Sequence, residues 1–166
     1  MATTTTTSAI LFSGLGKFYF HNPAGKWELK DYELLFTASS WEDLWNSTRY
    51  IFGLDGSLRG DYFFMKDPYP PMYEKPLNQR GGAYQIKVNQ SDAQETFETY
   101  MAAMMQNKIA KDPENKIVGV TICLKKEFHI IKLWNLDGKK YNRVEDIRIL
   151  KPTPSVIYKV HIDRPM

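Results

Sequence analysis

The residues of this chain best suited to chemistry are aromatic rings with a carboxylate beside them. Tyr73 and Glu74 are adjacent in a proline-rich segment, PPMYEKP, where a ring has no sheet position to fill. Trp27 lies in AGKWELKD, a stretch with little core character, flanked by Lys26 and Glu28. Two rings on loops can stack on both faces of one flat ligand. A carboxylate beside one of them can accept hydrogen bonds from a base edge that presents adjacent N–H donors, as guanine does. The alternative for each ring is half-buried packing.

Other chemistries are poorly served. His21, His129 and His161 are far apart and share no metal-ligand spacing. There is no glycine-rich phosphate loop, nucleophile elbow or H-E-x-x-H motif. Gly81–Gly82, after Arg80, reads as a tight entry into a strand. Cys123, the sole cysteine, sits within the strand pattern IVGVTICLK, where it reads as a buried, inert thiol. One cysteine also excludes a disulfide framework and fits a reducing compartment. An enzyme is therefore the weaker class, and no metal or cofactor is expected.

Charge points the same way, weakly. Lys plus Arg less Asp plus Glu gives 22 − 19 = +3 over 166 residues. From Lys116 onward the balance is 11 − 5 = +6, against 11 − 14 = −3 before it. A basic C-terminal third can focus an anion, although a solvated face biased by chance would have the same composition. No apolar run reaches the roughly 18 residues of a membrane span, and the N-terminus lacks the order of a secretion signal.

The elements that must position these residues alternate without a regular βαβ repeat. Residues 1–9 form a Thr-rich tail expected to be disordered, and residues 10–166 a single domain. Strands are expected at Lys17–Phe20, Glu33–Phe36, Asp61–Lys66, Ala83–Val88, Ile117–Lys125, Ile130–Trp134 and Ser155–Ile162. The spacing predicts helices over Ser39–Tyr50, with Ser39 and Glu42 as a capping box, and over Ser91–Ile109. A short third helix is expected over Arg143–Leu150. Asp67–Pro76 reads as a long ordered loop between strands. The fold class that follows is α+β: one antiparallel sheet with helices on one face, the other face left for a ligand.

The chain resembles the cap-binding translation initiation factor 4E family. The stretch DYFFMKDPYPPMYEKPLNQRGG, Asp61–Gly82, is similar to the family pattern D-Y-x-x-F-K-D-x-x-x-P-M-W-E followed by K-x-R-G-G. Ser39–Trp45, SSWEDLW, resembles the V-E-D-F-W helix start, Lys26–Trp27 falls at nearly the family distance before it, and Ile117–Trp134 resembles the hairpin ending in a second-half Trp. The resemblance implies a single curved antiparallel sheet with about three helices on the convex face and the ligand on the concave side. It also implies non-covalent binding of the 7-methylguanosine cap of messenger RNA, without catalysis or cofactor, by a cytoplasmic monomer that has no membrane partner.

By the same resemblance, Trp27 and Tyr73 sandwich the methylated guanine, Tyr73 replacing the usual Trp. Glu74 takes the base edge, and Trp134 lies near the added methyl. The phosphate clamp departs from the family. Lys125 stands for an Arg, Ile130 for a Lys, Glu127 for a common basic residue and Ala83 for an Arg. Lys126, Lys132 and His129 are the compensating candidates, while Arg80 is expected to brace the loop. Trp45 corresponds to the residue that receives a helical segment of the scaffold factor 4G or of a 4E-binding repressor, with Trp41, Met101 and Met105 completing the patch. Core packing remains the alternative for these four. The family's His–Pro signature is missing near Ala9–Leu11, which leaves open a cap-binding repressor that does not engage the scaffold, while Ile130, Ala83 and Glu127 leave open an interaction module with a decayed cap site.

Overall fold

The structure, a computed structural model, describes residues 12–22, 24–53 and 60–162. The expected tail over residues 1–9, and Ala9–Leu11, lie outside the described residues. Seven strands form one sheet: β1 Gly16–His21, β2 Tyr32–Ala38, β3 Asp61–Lys66, β4 Gly82–Asn89, β5 Ile117–Leu124, β6 Phe128–Asn135 and β7 Val156–Val160. Their order is β2-β1-β3-β5-β6-β4-β7, and every neighbouring pair is antiparallel.

Strand alternation sorts the side chains between the two faces. Phe18, Phe64, Val120, Ile122, Ile131, Leu133 and Tyr84 point one way and are buried. They meet helices α1, Trp41–Gly53, and α2, Ala93–Met105, through Leu44, Phe97, Tyr100, Met101 and Met104. A fully buried apolar side chain of this size contributes about 1.5–3 kcal/mol, so this layer is the main store of stability. On the other face Phe63, Met65, Ala83, Val118 and Trp134 make a second, smaller cluster.

Helix α1 begins one residue later than the expected capping box. Ser40 Oγ, rather than Ser39, accepts the Asp43 backbone N–H at 3.1 Å. The Asp43 carboxylate, rather than Glu42, reaches back to Ser39 N at 3.0 Å and Oγ at 3.1 Å. Those bonds, the backbone one first, hold the Asp43 carboxyl below its usual range.

The third helix is not there. Over Arg143–Leu150 only Val144–Asp146 closes a single 3-10 turn, so the described residues hold two α-helices instead of about three. The backbone pairs across rather than along: Ile147 bridges Ala110, and Arg148 N donates to Ile109 O at 2.8 Å. That pairing buries Ile147 to 2 % exposure, which a helix would not require.

A polar hub fixes the end of the sheet near the proline-rich loop. Asn135 Oδ1 accepts the Tyr158 hydroxyl at 2.9 Å and Gly82 N at 3.1 Å. Its Nδ2 donates to Asn115 Oδ1 and to Tyr141 O, both at 3.0 Å. Asn135 is wholly buried, so full pairing is what makes its burial tolerable. The close packing reaches Gly81 as well: a Cβ there would sit 1.8 Å from Asn135 O.

Candidate ligand-binding site

The face opposite the helices carries a cavity of about 570 Å³. Trp27, Tyr73, Glu74, Lys125, Lys132 and Trp134 all line it, although they span more than a hundred positions of sequence. Tyr32, Asp61, Phe63, Thr121 and Cys123 line it too. The sequence reading did not single out Tyr32, Asp61, Phe63 or Thr121 for the site, and had Cys123 as plain core. Strand parity could have found part of this set: Asp61 and Phe63 on β3, Thr121 and Cys123 on β5, and Lys132 and Trp134 on β6 occupy alternate positions on one face.

Two half-exposed rings stand at the cavity, Trp27 at 49 % and Tyr73 at 43 % exposure. Each is backed by a histidine. His21, at the end of β1, lies flat on Trp27, with ring centroids 3.7 Å apart and planes 12° apart. Its Nε2 meets Lys26 O at 2.7 Å, and since a carbonyl only accepts, that nitrogen carries the proton. His161, just past β7, stacks on Tyr73 at 5.5 Å and 21°. It also tilts against Trp134 at 4.8 Å. Burial, then the nearby Lys132 charge, pushes the His161 imidazole down to about 4, so it is neutral at physiological pH.

The loop that carries Tyr73 and Glu74 is braced from within by Asn78. Its Nδ2 donates to Pro70 O at 2.8 Å and to Met72 O at 2.9 Å, and Met72 is buried beneath. Arg80, expected as the brace, has an exposed side chain and contributes its carbonyl, which accepts Gly138 N at 2.9 Å.

The floor is Trp134, at 4 % exposure, with Phe63 edge-on at 6.2 Å and 90°. Trp134 Nε1 and Thr121 Oγ1 are buried without a protein partner, two hydrogen-bonding groups that the fold leaves unused at the cavity. The charges are mixed. Glu74 and Asp61 are the carboxylates, and Lys125 and Lys132 the cations. Burial raises the Asp61 carboxyl, against the pull of the Leu124 N–H bond and of Lys132, His21 and Lys125. Burial likewise raises the Tyr32 hydroxyl, and the Glu74 carboxylate adds to it, which puts the two side chains in electrostatic contact. Cys123 is pushed up by burial, which suppresses its thiolate. Lys126 does not line the cavity: it sits exposed in the β5–β6 turn, where its carbonyl accepts Gln90 Nε2 at 2.6 Å. In the same turn Lys125 N donates to His129 Nδ1 at 3.3 Å.

On the helix face Trp45 is 37 % exposed and stacks on half-buried Trp41 at 6.3 Å and 21°. It borders a groove of about 640 Å³ together with Glu95, Glu98, Thr99, Ala102 and Leu150. Met101 and Met105 do not complete this patch, as had been expected. Both are fully buried, because eight of the thirteen residues of α2 face the core.

Among the described residues no group of His, Cys, Asp or Glu could hold a metal ion, and no helix is long and apolar enough to cross a membrane. A single antiparallel sheet with helices on one face and an aromatic, mixed-charge cavity on the other defines a ligand-binding module. The chain belongs to the eukaryotic initiation factor 4E family, whose sequence pattern matches residues 17–164. That family comprises cap-binding factors rather than enzymes. Among curated proteins, translation initiation factor 4E-4 of Caenorhabditis elegans is 25 % identical over 157 residues, covering 87 % of this chain and 73 % of that one. Among solved structures, Ascaris suum eIF4E-3 in complex with an m2,2,7G cap superposes with a TM-score of 0.68 at 19 % identity, covering 94 % of this chain and 93 % of the other. Caenorhabditis elegans eIF4E-3 with the 4E-binding protein Mextli and a cap analogue gives 0.66 at 19 % identity, covering 78 % and 75 %. These two likenesses carry the fold.

Proposed function

We propose that the chain binds the 7-methylguanosine 5′ cap of messenger RNA in this cavity and recruits the message for translation initiation. The observation that carries the reading is the convergence of Trp27, Tyr73, Glu74, Trp134, Lys125 and Lys132 on one concave space. Trp27 and Tyr73 stack on the two faces of the base. Methylation at N7 leaves the purine cationic, so each ring face attracts it by cation–π as well as by dispersion. Glu74 accepts from the guanine N1–H and exocyclic amine. Trp134 closes the floor near the methyl group, and Lys125 with Lys132 neutralises the phosphates. Lys126, exposed in the adjoining turn, is left for phosphates further along. Lysines supply point charges in place of an arginine fork, so the phosphate end is held by charge more than by geometry.

The histidines behind the two rings support the same reading. His161, kept neutral by its burial, stacks on Tyr73 without adding a positive charge that would repel a cationic base, and His21, flat on Trp27, fixes the plane of the indole. Titration of tryptophan fluorescence with 7-methyl-GTP and with GTP, in the parent and in Trp27→Ala, tests the proposal. Selective binding of the methylated nucleotide, lost in the variant, is the expected result. Equal affinity for the two nucleotides, or an unimpaired variant, rejects it.

For the helix face we propose docking of a helical segment from the scaffold factor 4G or from a 4E-binding repressor, centred on Trp45 and Trp41. What supports this is an exposed indole beside a groove whose Glu98 suits a basic residue on the incoming helix, Glu95 being paired with Lys151 at 2.9 Å.

A further inference from the structure

A second cavity, of about 610 Å³, lies at the other end of the same central strands. The first cavity takes Asp61, the first residue of β3, and Leu124, the last of β5. The second takes Lys66, the last of β3, and Ile117, the first of β5. Its charged lining is of one sign: Lys66, Lys111, Lys116 and Arg148, with no carboxylate among the lining residues. Among the described residues none of these four makes an ion pair.

Neutral acceptors hold two of the four cations in place. Lys66 Nζ donates to Asn107 Oδ1 at 2.7 Å. Asn107 is itself fixed, in the left-handed conformation (φ 56°) just past the end of α2, with Nδ2 on Ser13 Oγ at 3.2 Å. Arg148 Nη1 donates to Ala110 O at 2.6 Å and Lys108 O at 3.4 Å. Asp112, in the same loop, does not line the cavity: its carboxylate accepts the Tyr141 hydroxyl at 2.7 Å, and Lys116 is near enough to help lower it. Burial, then the Lys116 charge, lowers the affinity of Lys66 for its proton, a cost that a bound anion would offset.

We propose that this cavity is a second site, independent of the cap, for a small molecule carrying at least two neighbouring phosphate groups. Four positive side chains around one concave space repel one another until an anion neutralises them. The volume is that of a small-molecule site. The cations converge on one cavity rather than running in a stripe, which suits a compact polyphosphate better than a nucleic-acid strand. Ile117 and Val118 on the lining admit an apolar body attached to the phosphates.

The probe is inorganic pyrophosphate, titrated calorimetrically into the full chain and into a Lys125→Gln/Lys132→Gln variant that removes the lysines of the first cavity. Saturable one-to-one binding retained in that variant is expected. It should weaken about tenfold or more in Lys116→Gln and in Lys66→Met, since each removes a charged hydrogen-bonding partner of phosphate. Lys116 is exposed, so its substitution leaves the fold intact if Lys66→Met does not. Absence of saturable binding, or loss with Lys125→Gln/Lys132→Gln but not with Lys116→Gln, would overturn the proposal. So would displacement of pyrophosphate by an uncapped RNA oligonucleotide at lower concentration, which would make the cavity part of a nucleic-acid track.

Discussion

The His21 imidazole covers one face of the Trp27 indole at 3.7 Å and leaves the ring half exposed. His21 is itself wholly buried and tied to Lys26 O, so the indole rests on a fixed support. Trp27 is therefore oriented before a ligand arrives, which spares part of the ordering cost of binding.

Removing the ring should cost its full stacking contribution. Trp27→Ala is expected to weaken binding of 7-methyl-GTP by about 1–3 kcal/mol, roughly five- to 150-fold. His21→Ala should weaken it less, by loosening the indole, and His21→Phe should restore it. Fluorescence titration of the three variants measures this. Loss in His21→Ala without rescue by Phe would assign His21 a different role.

The opposite wall offers a gain. Tyr73 is the poorer platform, so Tyr73→Trp should tighten binding of the methylated nucleotide by about 0.5–1 kcal/mol, with little change for unmethylated GTP. Equal tightening for both nucleotides would mean that the added ring area, rather than the cationic base, is responsible.

Acid should destabilise the protein through His161. Its folded value of about 4 lies below the ordinary 6.5. Between those values the unfolded chain binds a proton that the folded one refuses. Stability therefore falls as pH drops from about 6.5 to 4, by an amount on the order of 2 kcal/mol between pH 7 and pH 5. Denaturant midpoints at the two pH values should move closer together in His161→Gln than in the parent. His129, also lowered by burial, leaves a remainder of the same sign in both proteins.

The partner face should separate from the cap face. Trp45→Ala is expected to abolish capture of a 4E-binding helical peptide while 7-methyl-GTP affinity is unchanged, since Trp45 lines the groove on the helix side and not the cavity. Pull-down with the peptide and fluorescence titration, run on one preparation, would show it. Undiminished capture would move the docking surface elsewhere.

Gly81→Ala should be among the most damaging single-methyl additions. The new Cβ would meet Asn135 backbone atoms at 1.8 and 2.7 Å, and neither is a flexible side-chain end. A loss of at least about 2 kcal/mol is expected, in line with other core clashes. It should appear as a lowered Tm, accompanied by weaker cap binding because the Tyr73 loop enters β4 there.

The sequence made the strands and the cavity's main residues legible, and the reasons are specific. Trp27, Tyr73 and Glu74 stood out because polar, proline-rich surroundings gave their rings no core to join. Trp134 followed from the family resemblance, and Lys132 from the need for a cation to replace those missing from the phosphate clamp. What stayed hidden depends on partners far away in sequence. Ile147 is apolar in a helix-compatible stretch, and only Ala110 opposite it decides that the backbone runs extended. Met101 and Met105 sit at the spacing of a surface stripe, yet α2 is enclosed widely enough to bury them. His21 and His161 carried no motif, since their function is a contact with a ring rather than a spacing.

The strand order has a consequence for how the protein is made. One aromatic wall leans on a histidine of β1 and the other on a histidine just after β7. During synthesis the first wall leaves the ribosome early, while the second lacks its support until residue 161 has emerged. Pairing of β4 with β7 must wait until Val156–Val160 has been made, and such distant closures are slow. A nascent or C-terminally clipped chain that stops short of His161 would hold most of the helix-side core but only half of a vice. Competence for ligand in this cavity is thus reached only once both ends of the strand order have been joined, β1 with its histidine at one side and the residue just after β7 at the other.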